Sequence, residues 1–386
     1  MNSKEILIVT RCFWPQTGLK ELALSDLAMN LKSAGHKVTV ATVRWSRTWS
    51  ENIEYHGIPV VRFAKPVSGP WSSFRYARLL SKHLATKSYD AVIVSGVGED
   101  AVATIRCVDE LAPVVIHLDA SPDSVINNFN RKHMECCLGA DAVVTNSQNA
   151  ADLLNRFDEM PKVRVVPDGI RVDPHRAERS VKKRQAREAL SAAHPVLQIE
   201  PNQRLAVTHT PFESSSGLSE LVQCWPKVLS RFPRAKLWLL GDGPDSSIVW
   251  QHISRLDIAH SVVLPGYFDN LNDLFAAADL YIHPSQAAGY SSGLFRAIAS
   301  GLNFVSTDCD ELNRLAELEP HNQLSRAADW SRAILDQLMD PSLNDRVQAA
   351  TRLQQKICEH HSPKRQVAKL LELIESATVD QVAIAK

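Results

Sequence analysis

A chain of 386 residues with 45% hydrophobic and 22% charged side chains is composed like a globular protein that buries a real core, and its length suits two domains of about 150–200 residues each. Lysine plus arginine equals aspartate plus glutamate at 43 each, which removes any global electrostatic case for nucleic acid or an acidic membrane. Seven cysteines without CxxC spacing, two of them adjacent at 136 and 137, argue against a zinc ribbon or a disulfide framework and read as buried free thiols of a reducing cytosol.

The N-terminus runs straight into an apolar strand, Ile6 to Val9, with no signal-peptide core. No apolar run approaches the ~20 residues a transmembrane helix needs, so the expectation is a cytoplasmic protein. After a loop holding Pro15, Thr17, Gly18 and Leu19, the spacing of Leu22, Leu24, Leu27, Ala28 and Leu31 predicts a helix over 21–34, closed by Gly35. Strands at 38–43, 59–63, 91–94, 114–117, 142–145 and 163–166 alternate with helices near 74–85, 100–111, 129–138 and 150–157. Such alternation predicts a doubly wound parallel sheet. The charged stretch 176–203, which carries prolines and a short helix near 182–190, reads as an interdomain linker. A second series of strands follows at 205–208, 236–240, 262–264, 280–283 and 304–306. Near the end, Ser362 as N-cap, Pro363 at the first helical position and the stripe Val367, Leu370, Leu371 and Ile374 predict a last helix. The expected organisation is therefore 1–175, a linker at 176–203, 204–358, and a terminal segment 359–386.

The stretch from His283 to Asp308 reads as strand end, small-residue loop, compact helix, glycine stop and next strand. A loop that opens a helix after a buried strand offers free N–H groups and the positive end of a dipole, which suits phosphate. Pro284, Ser285, Gly289, Tyr290, Ala297, Ala299 and Gly301 fall in step with the signature of the group-1, family-4-like retaining glycosyltransferases, and the stretch resembles it. Further landmarks extend that resemblance from Ile6 to about residue 373. They are Gly18 in the first loop, His117 ending an apolar strand, Ser147, Asp168-Gly169, Gly241-Asp242-Gly243-Pro244, and Gly266-Tyr267.

The resemblance implies the GT-B plan: two Rossmann-like α/β domains facing a cleft, an acceptor-side first domain, a donor-side second one, and a C-terminal crossover helix packed back on the first. It implies transfer of a hexose from a nucleotide-sugar to a polysaccharide or other glycoconjugate acceptor, with no metal and no further cofactor. His117 would face the reacting sugar, where an imidazole can bond a hydroxyl or move a proton. Gly18, Gly241, Gly243, Gly266, Tyr267, Gly289, Tyr290, Ser291, Ser292 and Arg296 would border the donor, and His117, Gly18, Gly243 and the loop 288–293 would converge on one cleft.

The donor side departs from the family pattern. Ala288 stands where the first signature glutamate belongs, Arg296 where the second belongs, and Ser216 where a phosphate-neutralising lysine belongs; Thr210 and Pro211 occupy the neighbourhood of the usual arginine. A guanidinium accepts no hydrogen bond, so Arg296 cannot hold ribose hydroxyls as a carboxylate would. On this pattern Arg296 reads as a surface side chain, with recruitment to a phosphate as the other reading. A catalytically silent homologue, acting as a sugar-binding or partner subunit in glycan assembly, is the alternative function. The segment 71–87 is basic and amphipathic, with Phe74, Leu79, Leu80 and Leu84 beside Arg75, Arg78, Lys82 and Lys87. It packs on its sheet with a charged outer face, or makes a peripheral membrane contact.

Overall fold

The computed structural model describes residues 2–16, 18–64, 72–108, 111–118, 129–171, 179–268, 271–285, 291–307, 309–316, 323–324, 330–339 and 344–384. The chain forms two compact units; the first comprises 1–16, 20–169 and 361–386, and the second comprises 17–19 and 170–360.

In the first unit the strands are β1 (Glu5–Val9), β2 (Lys37–Arg44), β3 (Asn52–Tyr55), β4 (Ile58–Ala64), β5 (Ala91–Ser95), β6 (Val114–Leu118), β7 (Ala142–Thr145) and β8 (Val163–Val165). They form an eight-stranded sheet in the order β3-β4-β2-β1-β5-β6-β7-β8, parallel except for the β3–β4 pair. Strand order reverses between β1 and β5, so the crevice beyond their carboxyl ends is a natural ligand position. Central strands such as Ile6 to Val9 are wholly buried because helices cover both faces.

The hairpin strand β3 is an addition to the sequence expectation. Its segment is polar and only four residues long, and the turn is made by His56 (φ 49°) and Gly57 (φ 71°). Two consecutive positive φ values give the turn whose twist matches a hairpin.

The last helix, Pro363–Ile384, contributes Val367, Leu370, Leu371 and Ile374 to the same core cluster as Ile6, Ile8, Leu27 and Leu31. Each such side chain stabilises by roughly 1.5–3 kcal/mol at most, relative to exposure. Polar contacts fix the register. Ser362 Oγ accepts from the Arg365 N–H at 3.4 Å, and Gln366 Oε1 accepts from Asn30 Nδ2 at 3.0 Å. Asn30 Nδ2 also donates to the Gly169 carbonyl at 2.9 Å. The helix Ser72–Leu84 buries Tyr76 and Leu80 against the sheet and leaves Phe74, Arg75, Arg78 and Lys82 exposed; Trp71 lies outside the described residues.

The second unit holds β9 (Leu205–His209), β10 (Lys236–Leu240), β11 (Val262–Gly266), β12 (Leu280–His283), β13 (Asn303–Thr307) and β14 (Gln323–Leu324). All pair in parallel, in the order β11-β10-β9-β12-β13-β14. Here the order reverses between β9 and β12. Trp225 and Trp238 are fully buried around this sheet.

The segment 176–203, expected to be a linker, is largely part of this unit. Its helix Arg179–Ala193 carries Arg187, only 4% exposed, whose Nη2 lies 3.0 Å from Asp279 Oδ2 while Nε donates to the Ala277 carbonyl at 3.0 Å. Lys183 and Arg204 also pair with Asp279, which accepts from the Leu205 N–H at 2.8 Å as well. The charges that looked solvated converge on one carboxylate instead. All seven cysteines are free, with Cys136, Cys137 and Cys309 buried. No helix among the described residues is long and apolar enough to cross a membrane.

Candidate functional site

In the second unit the loops after β9, β10, β11 and β12 meet at the carboxyl edge of the sheet, and backbone packs directly on backbone there. Gly217 (φ 68°) opens the helix Leu218–Arg231, and a Cβ on it would lie 2.0 Å from the Pro284 carbonyl oxygen. A Cβ on Gly241 would meet the Thr210 carbonyl at 2.2 Å, and one on Gly243 the Phe212 carbonyl at 2.3 Å. Hydrogen bonds lock the same loops: the Phe212 N–H donates to the Asp242 carbonyl at 3.0 Å, and the Asp245 N–H to the Phe212 carbonyl at 3.0 Å. The Gly-Asp-Gly-Pro turn therefore has a packing reason for its glycines. Asp242 Oδ1 accepts from the Gly243 N–H at 2.8 Å and from Ser246 Oγ at 2.7 Å, and those bonds hold its carboxyl below the usual range.

The helix Ser292–Ala299 starts beside this edge. Ser291 is its N-cap, with Oγ accepting from the Leu294 N–H at 3.3 Å and lying 3.3 Å from His283 Nδ1. Arg296 is 7% exposed, and its Nε donates to Ser292 Oγ at 3.0 Å. A helical side chain leans towards the N-terminus, so the guanidinium lies over the first turn of its own helix. The surface position expected for Arg296 is thus corrected: all eight residues of this helix are buried, and it has no solvated face. His209 ends β9 with its carbonyl accepting from Tyr281 Oη at 3.2 Å. Its ring is fully buried, has neither nitrogen hydrogen-bonded, and packs edge-on to Tyr267 at 6.1 Å. Burial first, and the positive charge of Arg296 second, push the His209 pKa down to about 3. Burial alone pushes His283 to about 4. Both imidazoles are neutral at physiological pH, leaving the guanidinium and the helix end as local positive potential.

Of the residues expected to hold a donor, the edge gathers Gly241, Gly243, Gly266, Tyr267, Ser291, Ser292 and Arg296. Gly266 (φ 80°) has open space where a Cβ would be, and Tyr267, 37% exposed, donates from Oη to the Asp242 carbonyl at 3.3 Å. Ser216 is buried and its Oγ accepts from the Leu218 N–H at 3.4 Å, so it closes the turn before a helix and supplies no cation. Ala288, Gly289 and Tyr290 lie outside the described residues. His209 and Tyr281 were missed; their signal was a polar residue at or beside the end of an apolar strand.

In the first unit His117 sits at the carboxyl end of β6, 5% exposed, with neither ring nitrogen hydrogen-bonded and Nε2 3.9 Å from Asp168 Oδ1. Asp168 Oδ2 accepts from Asn146 Nδ2 at 3.1 Å, and its carbonyl is 3.0 Å from His361 Nδ1. The landmark Ser147 is an N-cap, its Oγ accepting from the Ala150 N–H at 3.3 Å. Gly18 occupies the loop between β1 and the helix Leu19–Ser33; Leu19, in the place of a second glycine, is simply the first helical residue. Asp119, close enough to His117 in sequence to tune it, lies outside the described residues. Among the described residues no group of three or more His, Cys, Asp or Glu is placed to hold a metal.

Two doubly wound sheets, the second with a glycine-shaped carboxyl edge, define the class. The model of the Glycosyltransferase Family 4 domain matches residues 21–174, and that of Glycosyl transferases group 1 matches residues 205–340. The chain belongs to the group 1 glycosyltransferases and has the GT-B fold. It is 28% identical over 109 residues to the N-acetyl-alpha-D-glucosaminyl L-malate synthase of Bacillus anthracis, covering 28% of each chain. It is 29% identical over 115 residues to the poly(glycerol-phosphate) alpha-glucosyltransferase of Bacillus subtilis, covering 30% of this chain and 17% of that one. The matches thus span less than a third of these curated relatives. Among solved structures, sucrose-phosphate synthase from Thermosynechococcus elongatus superposes with a TM-score of 0.74 at 14% identity, covering 99% of this chain and all of that one. Anabaena HepE in complex with UDP-glucose gives a TM-score of 0.72 at 16% identity, over 97% of this chain and 100% of the other.

Proposed function

We propose that this chain transfers a hexose from a nucleotide-sugar to a glycan or other glycoconjugate acceptor, with retention of configuration. The second unit holds the donor. The observation that carries this reading is the burial of Arg296 against Ser292 at the start of the helix Ser292–Ala299, beside a neutral His209. A guanidinium and a helix N-terminus both attract negative charge, so the two side by side suit an anion. A donor diphosphate is that anion. Arg296 then neutralises the leaving phosphates from the β12 side, in place of the lysine that Ser216 has displaced. Tyr267, exposed beside Asp242, offers a ring for the base.

His117 is the residue of the first unit that we assign to the reacting sugar, on the strength of its unbonded ring nitrogens at a strand's carboxyl end. The exposed stripe Phe74, Arg75, Arg78 and Lys82 supports a peripheral contact with an anionic membrane surface. Flotation with anionic vesicles tests it: Arg75→Glu with Arg78→Glu abolishes flotation if the contact is real, and wild type fails to float if it is not.

The function is tested by nucleotide release. Wild type is incubated with UDP-glucose, UDP-N-acetylglucosamine or GDP-mannose, and free nucleoside diphosphate is measured. Release from one of them, lost in Arg296→Ala, is the expected result. No release and no binding with any of the three overturns the reading.

A further inference from the structure

Three of the chain's eight tryptophans, Trp14, Trp45 and Trp49, stand half-exposed in the loops that follow β1 and β2, whereas Trp225, Trp238 and Trp330 are buried in the second unit. Two arginines hold the indoles in place. Arg62, 4% exposed on β4, has its guanidinium 5.8 Å from the Trp14 ring and 5.3 Å from the Trp49 ring. Its Nη2 donates to the Trp14 carbonyl at 2.7 Å and its Nη1 to the Ser50 carbonyl at 3.2 Å. Arg11 lies 5.3 Å from the Trp45 ring, and Trp45 Nε1 donates to the Arg11 carbonyl at 3.0 Å. Below them Phe13, 2% exposed, packs edge-on to Tyr55 at 5.3 Å and anchors the loop. The cluster sits on the ligand-binding edge of this sheet, beside the strand-order reversal at β1.

We propose that these indoles form a carbohydrate platform and that the acceptor is itself a saccharide, not a small non-sugar alcohol. The inference rests on the reading of the chain as a sugar-transferring enzyme and names its acceptor class. An indole face is electron-rich and apolar, and it matches the axial C–H face of a pyranose, whose ring hydrogens are slightly positive. Nearby hydroxyls meet the sugar's rim: Ser46 and Thr48 lie between Trp45 and Trp49, their oxygens 2.7 Å apart. Cation–π stacking against Arg62 and Arg11 orders the rings before any ligand arrives, so less side-chain entropy remains to be lost on binding. A platform of this kind reads ring stereochemistry and tolerates variation in the distal chain, as expected for a growing glycan.

The test is an oligosaccharide array probed with wild type, Trp45→Ala, Trp49→Ala and Trp49→Phe, each first shown by thermal unfolding to be folded. Retained sugars are then titrated by calorimetry. Wild type is expected to retain at least one class of oligosaccharide. Each alanine variant should bind it about ten-fold or more weakly, for a loss of roughly 1.4 kcal/mol of stacking, while Trp49→Phe keeps most of the affinity. An array on which wild type retains nothing, or retention equal in both alanine variants, overturns the platform. Separate titration of wild type with UDP-glucose keeps the two claims apart: a chain that binds oligosaccharide through Trp45 and Trp49 but binds no nucleotide-sugar preserves the platform and defeats the donor reading.

Discussion

Replacing Gly217 by alanine should damage both the fold and the carboxyl edge of the second sheet, and its cost separates into two physical parts. The backbone at Gly217 has φ 68° and ψ 11°, which an L-residue adopts at a cost of roughly 1–2 kcal/mol. The added methyl would also lie 2.0 Å from the Pro284 carbonyl oxygen, a contact no real Cβ tolerates. Relief requires the loop after β12 to retreat by more than an ångström, and overpacking of that kind costs about 1–3 kcal/mol more. Gly266→Ala is the matched control, since its φ is 80° but nothing lies within 4 Å of the new Cβ. Denaturant unfolding of the two variants isolates the contact: Gly217→Ala should be less stable than Gly266→Ala by about 1–3 kcal/mol. Its nucleotide-sugar affinity should also fall, because Pro284 leads into the loop before Ser291. Equal destabilisation by the two substitutions would refute the close backbone approach at Gly217.

Three further outcomes concern charged and titratable groups. Asp279→Ala strands Arg187 without its carboxylate and should cost about 3–5 kcal/mol, read as a large drop in unfolding midpoint. Arg234→Ala, which removes an ion pair to Glu200 whose side chains are 62% and 51% exposed, should change stability by less than about 1 kcal/mol. The third concerns acid. Both His209 and His283 have folded pKa values below the ordinary one, at about 3 and about 4, so the unfolded chain takes up their protons first. Their contribution is complete above the unfolded pKa near 6.5 and is lost as pH falls through the window between it and the folded values, by up to about 1.4 kcal/mol per pH unit for each histidine. His283→Asn should flatten that slope in a series of denaturant melts between about pH 4 and pH 7; an unchanged slope would mean the ring is not buried neutral.

Much of the architecture was legible because burial on both faces of a parallel sheet leaves a local signature. Ile6 to Val9 and Leu280 to Ile282 are short apolar runs, and the last helix declares itself through Ser362, Pro363 and an apolar stripe. What escaped depended on tertiary partners. The helix Arg179–Ala193 carries so many charges that it resembles a solvated linker, and only the fold brings Lys183, Arg187 and Arg204 around Asp279. Arg296 escaped for a related reason. Apolar side chains occupy both sides of it in Phe295 and Ala297, so periodicity defines no polar face, and residue type alone places an arginine in solvent. The glycines at the carboxyl edge of the second sheet are visible as turns, but their contact partners Pro284, Thr210 and Phe212 come from other loops and leave no trace in local spacing.

The central claim is that Arg296 anchors the donor diphosphate. Calorimetric titration of wild type and Arg296 variants with UDP-glucose and GDP-mannose tests it most directly. Wild type should bind one of them with a Kd on the order of micromolar, and Arg296→Ala should weaken it about ten- to a hundred-fold, as expected for a charged hydrogen bond worth roughly 1.5–3 kcal/mol. Arg296→Lys should recover part of the loss, since the charge remains but the paired donors do not. Wild type that binds neither compound, or an Arg296→Glu variant that binds more tightly than wild type, would contradict the account.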